Sequence, residues 1–412
     1  MNPNSLKIRQ ISSKLQLPFE VVERKGMGHP DTLADALAET LSKNYANFTR
    51  ERCGAVLRHN FDKVGLLGGS AEVYFGRGAL NSPIRVLLNG RASVKFAGES
   101  LDVEERLEEW TRNFLLAHFP QIRREIDIDI HFNLSTSSSP GAVRDEDGSE
   151  NVRLHWFEPR SLEDLTELRR LHSNDTSLGV GYAPLSPLES TVLSIEEGLN
   201  STEFKKDHPW IGSDIKLMAT RVDDEMGLTI CIPQLAEYVG SQEEYRENTT
   251  IALGEISRII DELMPSYRSS ISINTRDNFD SNELYLTAIG SSIESGDEGL
   301  VGRGNRPNGL ISPTRPISME GACGKNPVYH IGKIYSVAAQ RIADLVFEET
   351  EQYCEVYLVS QTGRDLVDPW KVIIACEKPA QLNEGIISQI EAEIAGMPNI
   401  TGLLLAGDVR LY

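Results

Sequence analysis

From Ile126 to Leu134 every second residue is apolar: Ile126, Ile128, Ile130, Phe132 and Leu134 alternate with Asp127, Asp129, His131 and Asn133. A period of two predicts a strand with one face buried. Runs of the same kind cover 55–67, 84–94, 152–157, 214–222, 228–233, 270–275, 283–289, 355–361 and 371–376. A longer period governs 32–47, where Leu33, Leu37 and Leu41 share a stripe with Ala34 and Ala38. It returns over 103–117, 162–171, 189–199, 242–263, 332–348 and 381–395, which predicts amphipathic helices there. Strands in twos and threes followed by a helix predict an α+β fold, with helices covering mostly antiparallel sheets.

Three blocks of ordinary domain size follow from this pattern. They are an N-terminal α+β domain over 1–140, a central one over 141–275 and a C-terminal one over 276–412, with segments free to interleave. Residues 135–148 read as a linker or mobile loop, and the irregular, Gly- and Pro-rich stretch 290–327 reads as functional. With 61 acidic against 41 basic residues the 412-residue chain carries a formal charge of −20. That balance speaks against a general nucleic-acid binder, which shows a basic patch, but leaves room for a small anion held by a few placed cations. No apolar run reaches the roughly 18 residues a spanning helix needs, and the first twenty residues show no signal peptide. Cys53, Cys231, Cys323, Cys354 and Cys376 are scattered and read as small core residues. The expectation is a soluble, cytoplasmic protein.

Four constellations carry polar chemistry. Lys25-Gly26-Met27-Gly28-His29-Pro30-Asp31 runs straight into the 32–47 helix. Proline suits a first helical position, which puts His29 at a helix mouth whose unpaired N–H groups and dipole favour an anion. Asp31 is a hard oxygen ligand of the kind Mg2+ takes beside phosphates. An ordinary Gly-Pro helix start reads as well. Asn174-Asp175-Thr176-Ser177 forms a turn, after which Gly179 and Gly181 permit close backbone approach to a ligand, or only a tight turn with an Asx cap. Gly212-Ser213-Asp214-Ile215-Lys216-Leu217 reads as a strand start with Asp214 and Lys216 on one face, there to bind a polar ligand or to pair with each other. The fourth is Ser295–Arg306 (SGDEGLVGRGNR), followed by Gly324–Lys333 (GKNPVYHIGK). Arg303, Arg306, Lys325 and Lys333 among glycines suit a polyphosphate cradle, in which backbone N–H groups and guanidinium forks meet the oxygens. The other reading is a mobile loop with incidental arginines. No Walker A loop, kinase signature or nucleophile elbow occurs.

Taken in order, ERKGMGHPDTLAD, HNFDKVGLLGG, NDTSLGVGYAP, GSDIKLM, GDEGLVGRGNRPNGLISPTRP and GKNPVYHIGKIY resemble the archaeal-type S-adenosylmethionine synthetases (methionine adenosyltransferases) from about residue 20 to residue 340. The resemblance implies three similar α+β domains about a pseudo-threefold axis. It also implies a homodimer with active sites at the subunit interface, and a need for Mg2+, in two copies, and for K+. The implied reaction joins L-methionine to the adenosyl group of ATP and cleaves the released triphosphate to pyrophosphate and phosphate. It places His29 at the triphosphate near the breaking C–O bond and Asp31 on Mg2+. Asp175 and Asp297 go near methionine, Asp214 toward ribose and Lys216 toward the phosphate next to the reacting carbon. Arg303 and Lys325 clamp the phosphates, and His330 and Lys333 are further ligand contacts. The sequence departs from the bacterial and eukaryotic branch in reading Gly-Lys-Asn at 324–326, then Tyr329, His330 and Lys333 with no carboxylate in that stretch, in placing Glu72 off the potassium-site position, and in carrying Arg77 within a run commonly all glycine. His59, Asp62 and Lys63 lie in a matching motif, with a strand-end structural role the alternative.

Two other functions use the same residues. A phosphohydrolase or phosphotransferase would release phosphate from ATP without methionine. A non-catalytic ATP-binding regulatory subunit would bind ATP and do neither reaction.

Overall fold

The computed structural model describes residues 5–137 and 152–412. The period-two runs assemble into three main sheets with one pairing plan. The first orders Ile128–Ser135, Ile84–Ala92, Gly65–Leu67 and Glu298–Leu300, paired parallel, antiparallel, antiparallel. The second orders Arg268–Ile273, Glu225–Cys231, Lys216–Val222 and Phe19–Lys25 with the same polarity. The third repeats it with Leu6–Gln10, Lys371–Cys376, Cys354–Val359 and Leu178–Ala183. Two long helices back each sheet. Pro30–Cys53 and Val103–His118 serve the first, Pro187–Leu199 and Gln242–Leu263 the second, Ile331–Thr350 and Glu384–Ala395 the third. The three cores follow. Leu33, Leu37 and Leu41 meet Val86 and Leu107; Val192 and Ile195 meet Leu217 and Ile256; Ile334 and Ile342 meet Ile374 and Ile390.

The strand that runs into each sheet's first helix belongs to a different sheet. Phe19–Lys25 precedes helix Pro30–Cys53 of the first sheet yet edges the second. Leu178–Ala183 precedes helix Pro187–Leu199 of the second yet edges the third, and Glu298–Leu300 precedes helix Ile331–Thr350 of the third yet edges the first. The exchange is cyclic, so each sheet draws strands from beyond any one of the blocks 1–140, 141–275 and 276–412. A parallel neighbour needs a crossover. Helices Val103–His118 and Gln242–Leu263 supply it in two sheets, and in the third Leu6–Gln10 takes that position.

Four of the twelve strands in these orders escape the period-two pattern, and Phe19–Lys25 shows why. Its buried positions are Glu20, Val22 and Arg24. Arg24 is 1% exposed and paired with Glu196 at 2.6 Å, while Glu20 meets Arg221 and Arg315. Paired charges satisfy one another inside, so the inward face is not apolar. The alternation at 126–134 inverts at its first step: Ile126 is 61% exposed, and Asp127 is buried because Arg123 binds both its oxygens. Residues 152–157 form one 3-10 turn rather than a strand, and 162–171 forms two rather than a helix. There Leu162 and Leu168 face solvent and only Leu165 of the three finds the core. The run 55–67 splits into His59–Asn60 and Gly65–Leu67, and 283–289 contracts to Leu286–Thr287. The expected linker 135–148 lies mostly outside the described residues. Cys53, Cys323, Cys354 and Cys376 are buried as expected and Cys231 is exposed; all are free thiols. Among the described residues no helix is long and apolar enough to cross a membrane.

Candidate active site

His29 is the N-cap of helix Pro30–Cys53: its Nδ1 accepts the Asp31 N–H at 3.2 Å. A nitrogen that accepts carries no proton, so in the neutral ring Nε2 holds the hydrogen and is the donor. Burial lowers the His29 pKa, against Asp214 and Asp31, which raise it. Asp214 is 2% exposed and accepts from the Ser292 N–H at 2.9 Å, the Ser292 hydroxyl at 2.6 Å and the Tyr285 hydroxyl at 3.2 Å. Burial still raises its pKa. The Ser292 hydroxyl also lies 2.9 Å from Asp297, so one serine joins the two carboxylates. Lys216 opens the next strand and pairs with Glu23 at 3.3 Å rather than with Asp214, while Ile215 and Leu217 face the core as their spacing predicts.

The glycine-rich loop is not a backbone cradle for an anion at the positions that can be traced. The Leu300 N–H goes to Asp31 at 3.0 Å and the Gly302 N–H to Asp35 at 2.8 Å. Glu39, a further turn along, accepts the Gly324 N–H at 3.0 Å and Lys333 Nζ at 2.6 Å. Carboxylates at 31, 35 and 39 thus form a stripe on one helix face that ties down the loops crossing it. The glycines are needed for close packing on the helix: a Cβ at Gly299 would fall 1.9 Å from the Pro30 carbonyl oxygen. Gly179 and Gly181 likewise lie against the backbone of helix Ile331–Thr350 at Tyr335 and Ala339, not against a ligand site. Arg306 binds the carbonyls of Gly302 and Gly304 at 2.7 and 2.8 Å, and Lys333 is fully buried on Glu39. Both expected phosphate cations are therefore committed to the loop's own structure. Lys25 Nζ bonds Asp31 Oδ2 at 2.9 Å and the Arg303 carbonyl at 2.7 Å, and the Arg303 side chain is left exposed.

Arg303 lines a cleft of about 1100 Å³ together with Lys325, Asp175, Asp62, Glu320 and His330. Lys325 is 4% exposed, and burial pulls its ammonium down to about 8, with Asp62 opposing. It contacts Glu320, which also takes the Ser177 hydroxyl at 2.8 Å. Asp175 is exposed and accepts its neighbour Thr176 N–H at 2.7 Å, while Asn174 accepts the N–H of Ile331. His330 caps helix Ile331–Thr350 through Nδ1, and burial with Lys325 and Lys333 holds its pKa well below 6.5. His59 touches the cleft from behind. Bonded to Ser42 at 2.8 Å, stacked on Phe61 and pushed down to about 3 by burial, it is a structural residue. Glu72 sits on the exposed hairpin of Ser70–Tyr74 and Arg77–Ser82, where Arg77 covers the Tyr74 ring at 4.7 Å.

The anticipated residues thus fall into two groups. Arg303, Lys325, Asp175 and His330 share the cleft, whereas His29, Asp31, Asp214, Lys216 and Asp297 surround the His29 helix start and do not line it, and Lys333 is buried outside the cleft. Sequence reasoning missed Asp35, Glu39, Ser292, Tyr285 and Glu320. Only the first two left a signal, carboxylates at four-residue spacing after Asp31.

The S-adenosylmethionine synthetase (AdoMet synthetase) family model matches residues 5–408. The chain is 36% identical over 407 residues to an S-adenosylmethionine synthase of Pyrobaculum aerophilum, covering 95% of this chain and 96% of that one. It is 41% identical over 358 residues to a probable S-adenosylmethionine synthase of Aquifex aeolicus, covering 85% and 84%. A solved S-adenosylmethionine synthetase from Campylobacter jejuni shares the fold at a TM-score of 0.58, 15% identity and 95% coverage of each chain. Matched by the family model over residues 5–408 and 36% identical to a curated member over nearly its whole length, this chain belongs to the S-adenosylmethionine synthetase family.

Proposed function

We infer that the protein joins L-methionine to ATP, forming S-adenosyl-L-methionine, and hydrolyses the triphosphate to pyrophosphate and phosphate. The observation that carries this reading is a neutral histidine donor at a helix N-terminus, His29, in a family member whose Arg303 and Lys325 face one cleft. The methionine sulfur attacks the ribose 5′ carbon while the C–O bond to triphosphate breaks. Acceleration comes from alignment of the sulfur and from stabilising charge on the departing oxygen. His29 Nε2–H and Lys216 serve that oxygen. Arg303 and Lys325 hold the outer phosphates, with the neutral His330 a further donor. Asp214 holds the ribose, Asp297 and Asp175 the methionine ammonium. Lys333 acts at one remove, by fixing Glu39.

Among the described residues no three or more His, Cys, Asp or Glu side chains are grouped to cage a metal. Mg2+ characteristically takes one or two carboxylates and completes its shell with phosphate and water. Asp31 fits that use: its Oδ2 pairs with Lys25, a cation that a bound metal would replace. The metal's contribution is to neutralise triphosphate charge. K+ is proposed on the family resemblance alone.

A homodimer with active sites at the subunit interface is proposed on the family resemblance alone. The shared pairing plan and the cyclic strand exchange support a pseudo-threefold axis relating the three units. We place the enzyme in the cytoplasm. The test is to incubate the protein with ATP and Mg2+, with and without L-methionine, and quantify adenosylmethionine, phosphate and pyrophosphate. Adenosylmethionine only with methionine, alongside equal phosphate and pyrophosphate, is the expected result. Phosphate release indifferent to methionine, without a sulfonium product, would replace this reading with polyphosphate hydrolysis.

A further inference from the structure

Asp35 is 2% exposed, lies one turn beyond Asp31 and has no place among the residues that the family resemblance implicates. Its Oδ1 accepts the Gly302 N–H at 2.8 Å, immediately before Arg303. Its Oδ2 is buried without a hydrogen-bond partner and packs so closely on the loop that a Cβ at Gly304 would lie 2.2 Å from it. The loop is thus gripped on both sides of Arg303.

The spacing explains why this grip sets a position and not merely a contact. Leu300–Arg303 is a tight turn, closed by the Arg303 N–H donating to the Leu300 carbonyl at 3.1 Å, with Gly302 in the left-handed region at φ 87°. Carboxylates one helical turn apart at 31 and 35 take the N–H groups of Leu300 and Gly302, so the turn that leads into Arg303 is pinned at two of its donors. Arg306 completes the arrangement by holding the carbonyls of Gly302 and Gly304, so the backbone on either side of Arg303 is fixed while its side chain stays exposed on the cleft. A buried carboxylate is an expensive way to hold a loop, since a carboxylate out of water costs far more than a neutral acceptor.

We propose that Asp35 is a positioning residue for the phosphate clamp: by holding Gly302 it fixes where Arg303 meets the triphosphate. The proposal rests on the reading above only in taking Arg303 as a phosphate contact.

The test is a double-mutant cycle read by calorimetric binding of inorganic tripolyphosphate with Mg2+ to the full-length protein, so that it does not depend on adenosylmethionine being made. Arg303→Leu and Asp35→Ala should each weaken binding by about tenfold or more, the range expected for losing a charge-assisted contact. The double variant should bind no more than about twofold more weakly than Arg303→Leu alone. Asp35→Asn, which keeps an acceptor for Gly302, should recover most of the loss. A loss from Asp35→Ala as large in the Arg303→Leu background as in the wild type would overturn the proposal, and so would unchanged binding by either single variant. Should Asp35→Ala fail to fold, Gly304→Ala crowds the same carboxylate from the loop side and is carried through the same cycle with the same criterion. Wild-type protein that binds tripolyphosphate but makes no adenosylmethionine would end the synthetase reading and leave the cycle to decide Asp35.

Discussion

Helices Pro30–Cys53 and Ile331–Thr350 start alike, on a histidine with extended backbone whose Nδ1 accepts the N–H two residues on, at 3.2 Å for His29 and 3.3 Å for His330. The cap fixes the same tautomer in both, with the proton on Nε2. Their surroundings differ. His29 faces charges of both signs, Asp214 and Asp31 raising its pKa against burial while Lys25 and Lys216 lower it; His330 faces Lys325, Lys333 and Lys63, which lower it further. Both rings are neutral donors at neutral pH, but carboxylates stand beside His29, whereas cations surround His330. A shared local motif therefore does not confer a shared role; the field around it does.

The largest effect should separate the two rings. His29→Ala is expected to lower turnover by about 100-fold or more, the usual scale for removing a donor aimed at developing charge. Its apparent ATP affinity should change by less than about threefold, because the contact matters in the transition state. His330→Ala should lower turnover by no more than about tenfold. Steady-state kinetics at saturating methionine decide this, and a larger loss at position 330 than at 29 would reverse the comparison.

How far the sequence could foresee this differs between the two helix starts. His29 was legible because Gly-His-Pro-Asp is a local signal: proline marks the first helical position and so places the histidine. Its neighbour Asp214 lies in a motif of its own, and the residues that hold Asp214, Ser292 and Tyr285, are marked by no spacing at all. At the other start the sequence placed Lys325, His330 and Lys333 together, but not that Lys333 is taken up by Glu39, nearly 300 residues earlier in the chain. The same limit hid strand Phe19–Lys25. Periodicity reads apolar burial, and wherever charges are buried in pairs, as Arg24 is with Glu196, the pattern breaks although the strand does not. The helices Gln242–Leu263 and Val103–His118, buried by apolar stripes, were found to within a residue or so of their ends.

A smaller effect concerns acid. Burial pushes His59 from 6.5 down to about 3, so the folded protein holds it neutral while the unfolded chain takes a proton near 6.5. The stabilisation is complete above pH 6.5 and is lost as pH falls toward 3, at about 1.4 kcal/mol per pH unit for one proton. At pH 5 that is about 2 kcal/mol, and His330 adds in the same direction. Asp35 and Glu294, raised to about 7, act with the opposite sign, their stabilisation fading as pH rises. The informative quantity is therefore a difference. Urea unfolding of wild type and His59→Asn across pH 5–7 should show about one proton fewer taken up on unfolding by the variant at pH 5. Equal proton uptake would mean that His59 is not held neutral in the fold.

The smallest effect separates capping from chemistry at the two rings. Losing an N-cap acceptor costs about 1 kcal/mol, and asparagine is among the best replacements for one. Alanine at either 29 or 330 should therefore lower stability by about that amount through the cap, with some added loss of packing at the more buried His330. Asparagine should recover the cap's share at both positions. Activity should divide them. His330→Asn is expected to recover turnover along with stability, since a neutral donor at a sound helix start is all that position supplies. His29→Asn should recover stability and remain slow, because the shorter amide, with its oxygen in the cap, cannot place an N–H where Nε2–H meets the leaving oxygen. Denaturant midpoints beside turnover numbers for the four variants test this directly, and full recovery of turnover by His29→Asn would show that His29, too, is only a cap.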